Sequence, residues 1–112
     1  MRVTLLEPEF VHSDERRTLT QLFTANFKQV NLYECKANVS LGDHYHKKTI
    51  EYFYIIDGEL EVNGREVKAR DSFVFHPEQV HTILTKTVAM FMTFLTEAYD
   101  KDNPDLWKTW KS

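Results

Sequence analysis

Three imidazoles and one carboxylate, those of His44, His46, Glu51 and His81, are the side chains of this sequence best suited to chemistry, because together they can surround a single metal ion. They lie in Gly-Asp-His-Tyr-His-Lys-Lys-Thr-Ile-Glu, residues 42–51, and in Phe-His-Pro-Glu-Gln-Val-His, residues 75–81. Neutral imidazole and carboxylate suit borderline divalent ions, zinc first, with iron, nickel, manganese and copper compatible. Four protein ligands leave room for a water or a substrate on an octahedral ion.

The elements that must position these groups are strands. Side chains two apart on a strand share a face, so His44 and His46 point the same way and Tyr45 points the other. Glu51 follows His46 at an odd interval, which on one straight strand would send it to the opposite face. Lys47-Lys48-Thr49-Ile50 must therefore bend, after which Glu51 opens the next antiparallel strand and returns beside the histidines. On that strand Phe53 and Ile55 share the parity of Glu51 and line the interior, with Tyr52, Tyr54 and Ile56 outside. An acid facing an apolar interior is costly unless paired or metal-bound, which favours a ligand role for Glu51. His81 can join only if a later strand comes alongside the first pair.

Hairpin signals punctuate the chain. Asp57-Gly58 and Asn63-Gly64 are two-residue turns tolerant of positive φ, and they separate residues 51–56, 59–62 and 65–69 into three successive antiparallel strands. Residues 18–23, 28–37, 71–75, 81–85 and 88–96, rich in β-branched or aromatic types, are further strands. Many short strands with tight turns and no long helical pattern predict an all-β sandwich or barrel. Residues 97–112 form a tail, helical or irregular, in which Pro104 can open a short helix. Its Leu106, Trp107 and Trp110 are apolar enough to pack on the domain or on a second subunit.

Composition bounds the function. The 112 residues suit one domain, and 3 Gly and 3 Pro leave no flexible linker. A formal charge of -3 with dispersed Lys and Arg argues against nucleic acid as a partner. Cys35, the only cysteine, excludes an internal disulfide and reads as a small buried residue in a reducing compartment. The amino-terminal sequence does not read as a secretory leader and no run approaches a membrane span, so a soluble, cytoplasmic protein is expected.

His-x-His, four residues, Glu, six residues, Gly, matched from His44 through Gly58, resembles the first motif of the cupin superfamily. The second motif, Gly-Asp followed by Pro-x-Gly-x-x-His, is matched at Asp71 and His81, with Arg70 and Glu78 at the two glycine positions and His76 at the proline. The resemblance covers roughly residues 28–96 and implies a single-domain jelly-roll β-barrel, with metal-site motifs at 42–58 and 70–85 and the four ligands at its mouth. Ser13-Asp14-Glu15-Arg16-Arg17-Thr18-Leu19 is similar to the opening of cupins that act on nucleotide sugars. Residues 42–46 and 98–105 resemble stretches of the carboxy-terminal cupin domain of bifunctional capsule-biosynthesis enzymes, which hold zinc and epimerise a UDP-linked keto-sugar ahead of a separate reductase domain. Leu41 stands where nucleotide-sugar cupins carry Arg, and Arg17 where they carry Gly.

The resemblance implies a metal-binding cupin acting on a carbohydrate or nucleotide sugar, as an epimerase or isomerase whose metal polarises a carbonyl. The same ligands would serve an iron or copper dioxygenase, or a non-catalytic binding or sensing module. The proton-transfer group is open: His76 and Tyr54 are candidates, each with a plainer reading as a rim histidine and a packing tyrosine. Phe53, Phe73, Phe75, Met90, Phe91, Met92 and Phe94 form a stripe that lines a pocket or, more simply, the core. Lys47 and Lys48 would attract an anionic substrate or form a solvated turn. The expected partners are a small molecule in the barrel and a second copy of the chain.

Overall fold

A computed structural model describes residues 3–109. The described residues form eleven strands: β1 (Phe10–Ser13), β2 (Thr18–Gln21), β3 (Gln29–Cys35), β4 (Ser40–Tyr45), β5 (Glu51–Asp57), β6 (Glu59–Val62), β7 (Arg65–Lys68), β8 (Ser72–Phe75), β9 (His81–Thr85), β10 (Ala89–Leu95) and β11 (Trp107–Lys108). They form a two-stranded β1-β2 hairpin, a four-stranded sheet in the order β3-β10-β5-β8, and a five-stranded sheet in the order β11-β4-β9-β6-β7. Every pairing is antiparallel.

Alternation explains the packing. β10 buries Ala89, Phe91, Thr93 and Leu95 and turns Met90, Met92 and Phe94 outward, while β5 buries Glu51, Phe53 and Ile55. Phe53, Phe73, Phe75 and Phe91 of the four-stranded sheet meet Leu60, Val62, Val67 and Ile83 of the five-stranded sheet in one core. This is the jelly-roll sandwich expected, and four of the seven residues of the aromatic and methionine stripe belong to its interior. Outside, Phe94 packs against the rings of Phe23 and Phe27, and Phe23 in turn stacks on Tyr52. Cys35 packs against the core, and burial pushes its thiol up, away from a reactive thiolate.

Asn63-Gly64 closes the β6-β7 hairpin, with φ of 50° and 81°. Asp57-Gly58 does not close one. β5 is flanked by β10 and β8, so the chain leaves it for β6 in the facing sheet. Gly58 has φ 98°, and a Cβ there would lie 2.5 Å from the Val88 carbonyl, so the crossing depends on glycine.

The expected helix after Pro104 is absent among the described residues. Residues 104–106 take no regular structure, and Trp107 and Lys108 pair with Tyr45 and His44. The Asp105 carboxylate is held by backbone N–H groups of the Lys47 to Thr49 bend, which fixes the tail against β4 instead of letting it coil. Trp107 is 42% exposed and Leu106 40%; Trp110 lies outside the described residues.

Candidate metal centre

His44 is carried by β4 and lies directly opposite His81 of β9 in the same sheet. A bulge between Leu41 and His44 aims the ring, and within it the Asp43 carboxylate accepts the Thr82 hydroxyl of the neighbouring strand. His46 is the first residue beyond β4. Glu51 begins β5, which belongs to the facing sheet and pairs with Phe75 and Leu95, not with β4. The later strand that His81 needed is β9, alongside β4 in the same sheet. Glu51 does return beside His46, but from the facing sheet and not from a strand paired with β4.

The ligand atoms of the four residues all lie within 4.8 Å of one another, and His46, Glu51 and His81 are buried. Ring centroids of His44 and His81 are 4.1 Å apart. His46 Nε2 lies 3.1 Å and His81 Nε2 3.5 Å from the same Glu51 oxygen, Oε1. Each Nδ1 meanwhile faces a backbone carbonyl: His44 that of Gly42 at 3.2 Å, His46 that of Asp105 at 2.6 Å, and His81 that of Gln79 at 3.4 Å. A carbonyl can only accept, so each Nδ1–H donates to its carbonyl and, in a neutral ring, Nε2 turns its lone pair toward the carboxylate. A lone pair facing a carboxylate repels unless a cation lies between them: a metal ion, or in its absence a proton on Nε2, which then donates to Glu51. His81 Nε2 is buried with no hydrogen-bond partner, as an atom waiting for such a cation would be. The residues fit a divalent ion.

Without an ion the site is electrostatically uneven. Burial, with the His81 ring beside it, pushes His44 down to about 4. Burial also works against a charged His46, but the Glu51 hydrogen bond and the Asp105 carbonyl outweigh it and raise that imidazole. For Glu51 burial favours the neutral acid, yet His46 and His81 hold the carboxyl well below its usual range.

A cavity of about 240 Å³ adjoins the site, lined by His44, His46 and Glu51 and, beyond them, by Gln29, Asn31 and Tyr33 of β3. These β3 residues were not singled out by sequence. Their signal was an inverted alternation, with polar Gln29, Asn31 and Tyr33 facing inward and Val30 and Leu32 exposed. Tyr33 stacks on Phe91 at 4.7 Å, and burial with the Glu51 charge raises its phenol, which keeps its proton.

His76 and Tyr54 are not brought to this cavity. His76 is exposed, and Tyr54 stands on the outer face of β5, opposite in parity to Glu51, in a groove with Pro8, Thr18 and Arg70. Leu41 packs against the core, so that position offers no charge to a ligand. Lys47 Nζ sits 3.8 Å from the centre of the Trp107 ring, and Lys48 is exposed.

Residues 12–98 match the model of the polysaccharide biosynthesis C-terminal domain family. A search of curated protein sequences returns no match. Among solved structures the chain is similar to a sugar 3,4-ketoisomerase, QdtA from Thermoanaerobacterium thermosaccharolyticum, at 17% identity and TM-score 0.72, covering 97% of this chain and 89% of that one. It is similar to the rmlC epimerase of Mycobacterium tuberculosis at 15% identity and TM-score 0.71, covering 92% and 71%. The capsular polysaccharide assembling protein CapF of Staphylococcus aureus matches at 20% identity and TM-score 0.64. There the overlap is 91% of this chain but only 32% of CapF, about a third of its length. At these identities the likeness is one of fold, an RmlC-like cupin jelly roll.

Proposed function

Because this chain belongs to the polysaccharide biosynthesis C-terminal domain family, we propose that it is a metal-dependent cupin that epimerises or isomerises a nucleotide-linked keto-sugar. The observation that carries this reading is the convergence of three imidazoles and one carboxylate beside a cavity lined in part by the amides of Gln29 and Asn31 and the Tyr33 phenol. QdtA and the rmlC epimerase, which share the fold, are a sugar ketoisomerase and an epimerase by description, and CapF assembles capsular polysaccharide.

His44, His46, Glu51 and His81 would hold the ion, zinc by preference, and a divalent ion there supplies Lewis-acid polarisation of a sugar carbonyl, lowering the cost of removing the neighbouring proton. Gln29 and Asn31 hydrogen-bond each other at 3.1 Å and offer an amide ladder that orients sugar hydroxyls. Tyr33, protonated and beside the ligands, is placed to donate to a developing alkoxide. Phe53 and Phe75, which pack against the His81 ring, keep water from its inner side. A homodimer working in the cytoplasm completes the proposal; the lone cysteine fits that compartment. Among the described residues no helix is long and apolar enough to cross a membrane.

The test is incubation of the metal-assayed protein with UDP- and TDP-linked keto-sugars in heavy water. Deuterium on the sugar ring, lost together with bound metal in His44→Ala, is the expected result. Metal retained by that variant would overturn the site, and metal without deuterium would make the protein a binding module.

A further inference from the structure

The Asp105 side chain binds a bend 56 to 58 residues earlier in sequence. Its carboxylate accepts from the N–H groups of Lys47 at 2.8 Å, Lys48 at 2.8 Å and Thr49 at 2.9 Å, and from the Thr49 hydroxyl at 2.9 Å. Trp107 Nε1 donates to Oδ1 at 3.2 Å, and the same indole lies under the Lys47 ammonium. These donors hold the carboxyl far below its ordinary range, although partial burial works the other way. The Asp105 carbonyl accepts from His46 Nδ1 at 2.6 Å.

Lys47 to Ile50 is the only covalent link between His46 and Glu51 that is short enough to set their separation. A single residue thus grips that link with its side chain and turns the His46 ring with its backbone. We infer that Asp105 is a positioning residue for the metal centre: its carboxylate sets the distance between His46 and Glu51, and its carbonyl fixes the ring nitrogen that His46 offers. This rests on the metal reading above. Removing the carboxylate releases the bend and lets the carbonyl drift from His46, so the cost falls on metal affinity and ligand geometry. Outer-shell partners of this kind are worth about 10- to 100-fold in metal affinity.

The test titrates cobalt(II), and zinc(II) in competition, into the full chain and its variants Asp105→Ala and Asp105→Asn, with circular dichroism to establish folding. Val67→Ala, a core truncation 2% exposed on β7, controls for lost stability. Expected are cobalt affinities about 10- to 100-fold weaker in both Asp105 variants with an altered visible absorption band, and an unchanged band and affinity in Val67→Ala. Asp105 variants that bind cobalt within twofold of the unaltered chain, with the same spectrum, would overturn the inference and leave the metal site standing. Unfolding of both Asp105 variants beside a folded Val67→Ala would overturn it too, reducing Asp105 to a stabilising contact. An unaltered chain that binds no cobalt or zinc would remove the metal reading itself.

Discussion

At the scale of single residues, the metal-free site makes a prediction about acid. His44 is held near 4 by burial and by His81, against about 6.5 for an unfolded chain. Between those values the unfolded state binds the proton and the folded state does not, so stability falls as pH is lowered from about 6.5 towards 4. His46 has the opposite sign. Its raised folded value contributes stability that is complete below about 6.5 and is lost as pH rises through that folded value. Glu51, held low, loses its contribution only below about 4.5. His44 is therefore the member of the cluster that governs the interval from about 6.5 to 4.5. Thermal midpoints of the chelator-treated protein should fall across that interval, and His44→Asn should flatten the fall. An unchanged slope in that variant would show that His44 is not the group excluded from protonation.

At the scale of elements, the two non-glycine residues in the second cupin-like motif become intelligible. Arg70 and Glu78 stand where the motif carries Gly, and they adopt φ of 77° and 71°, the left-handed region that glycine enters freely. The turns are retained because hydrogen bonds close them: Arg70 N–H to the Ile55 carbonyl at 2.8 Å, and Glu78 N–H to the His46 carbonyl at 2.6 Å. The backbone takes the left-handed geometry here without the residue that makes it easy. A left-handed side-chain residue costs about 1–2 kcal/mol, and a new glycine returns about 0.4–1 kcal/mol of that through the freer unfolded chain. Arg70→Gly and Glu78→Gly should each stabilise the protein by roughly 0.5–1 kcal/mol, about 2–6 °C in thermal midpoint. Calorimetry checks this, and a lowered midpoint would mean that the Arg70 or Glu78 side chain contributes more than its backbone strain costs.

The same elements show what the sequence could and could not disclose. Strand parity placed Phe53 and Ile55 inside, and the need for a bend after His46 followed from the odd interval to Glu51. Period-2 arguments work within one strand. They cannot say which sheet the next strand joins, so Asp57-Gly58 read as a hairpin when it is a crossing, and Glu51 was set beside β4 when it faces it. Strand β1 was missed because Phe-Val-His-Ser has too few residues to show alternation. Asp105 was passed over because most of its partners are backbone groups, the middle one 57 residues away, which leave no pattern in side-chain types.

At the scale of the whole molecule, apolar surface is placed where water should be. The outward face of the four-stranded sheet carries Val30 and Leu32, 50% and 53% exposed, in register with Phe94 and Met92 of β10. The β1-β2 hairpin is exposed along both strands, with Phe10 and Val11 each at 53% and Leu19 at 46%. A two-stranded hairpin is marginal in water unless it packs on something, and a contiguous apolar face on a small chain marks an interface. A second copy is the economical occupant, because a two-fold axis lets one self-complementary patch cover itself. Sedimentation should therefore give a dimer at micromolar concentration. Val30→Glu with Leu32→Glu places like charges across the axis and should shift it to monomer. The candidate metal centre faces the interior, on the other side of β3, so the double variant should keep whatever cobalt affinity the unaltered chain has. A wild-type monomer at that concentration would leave the apolar face to another partner, and a monomeric variant that lost its metal would show that the dimer completes the site.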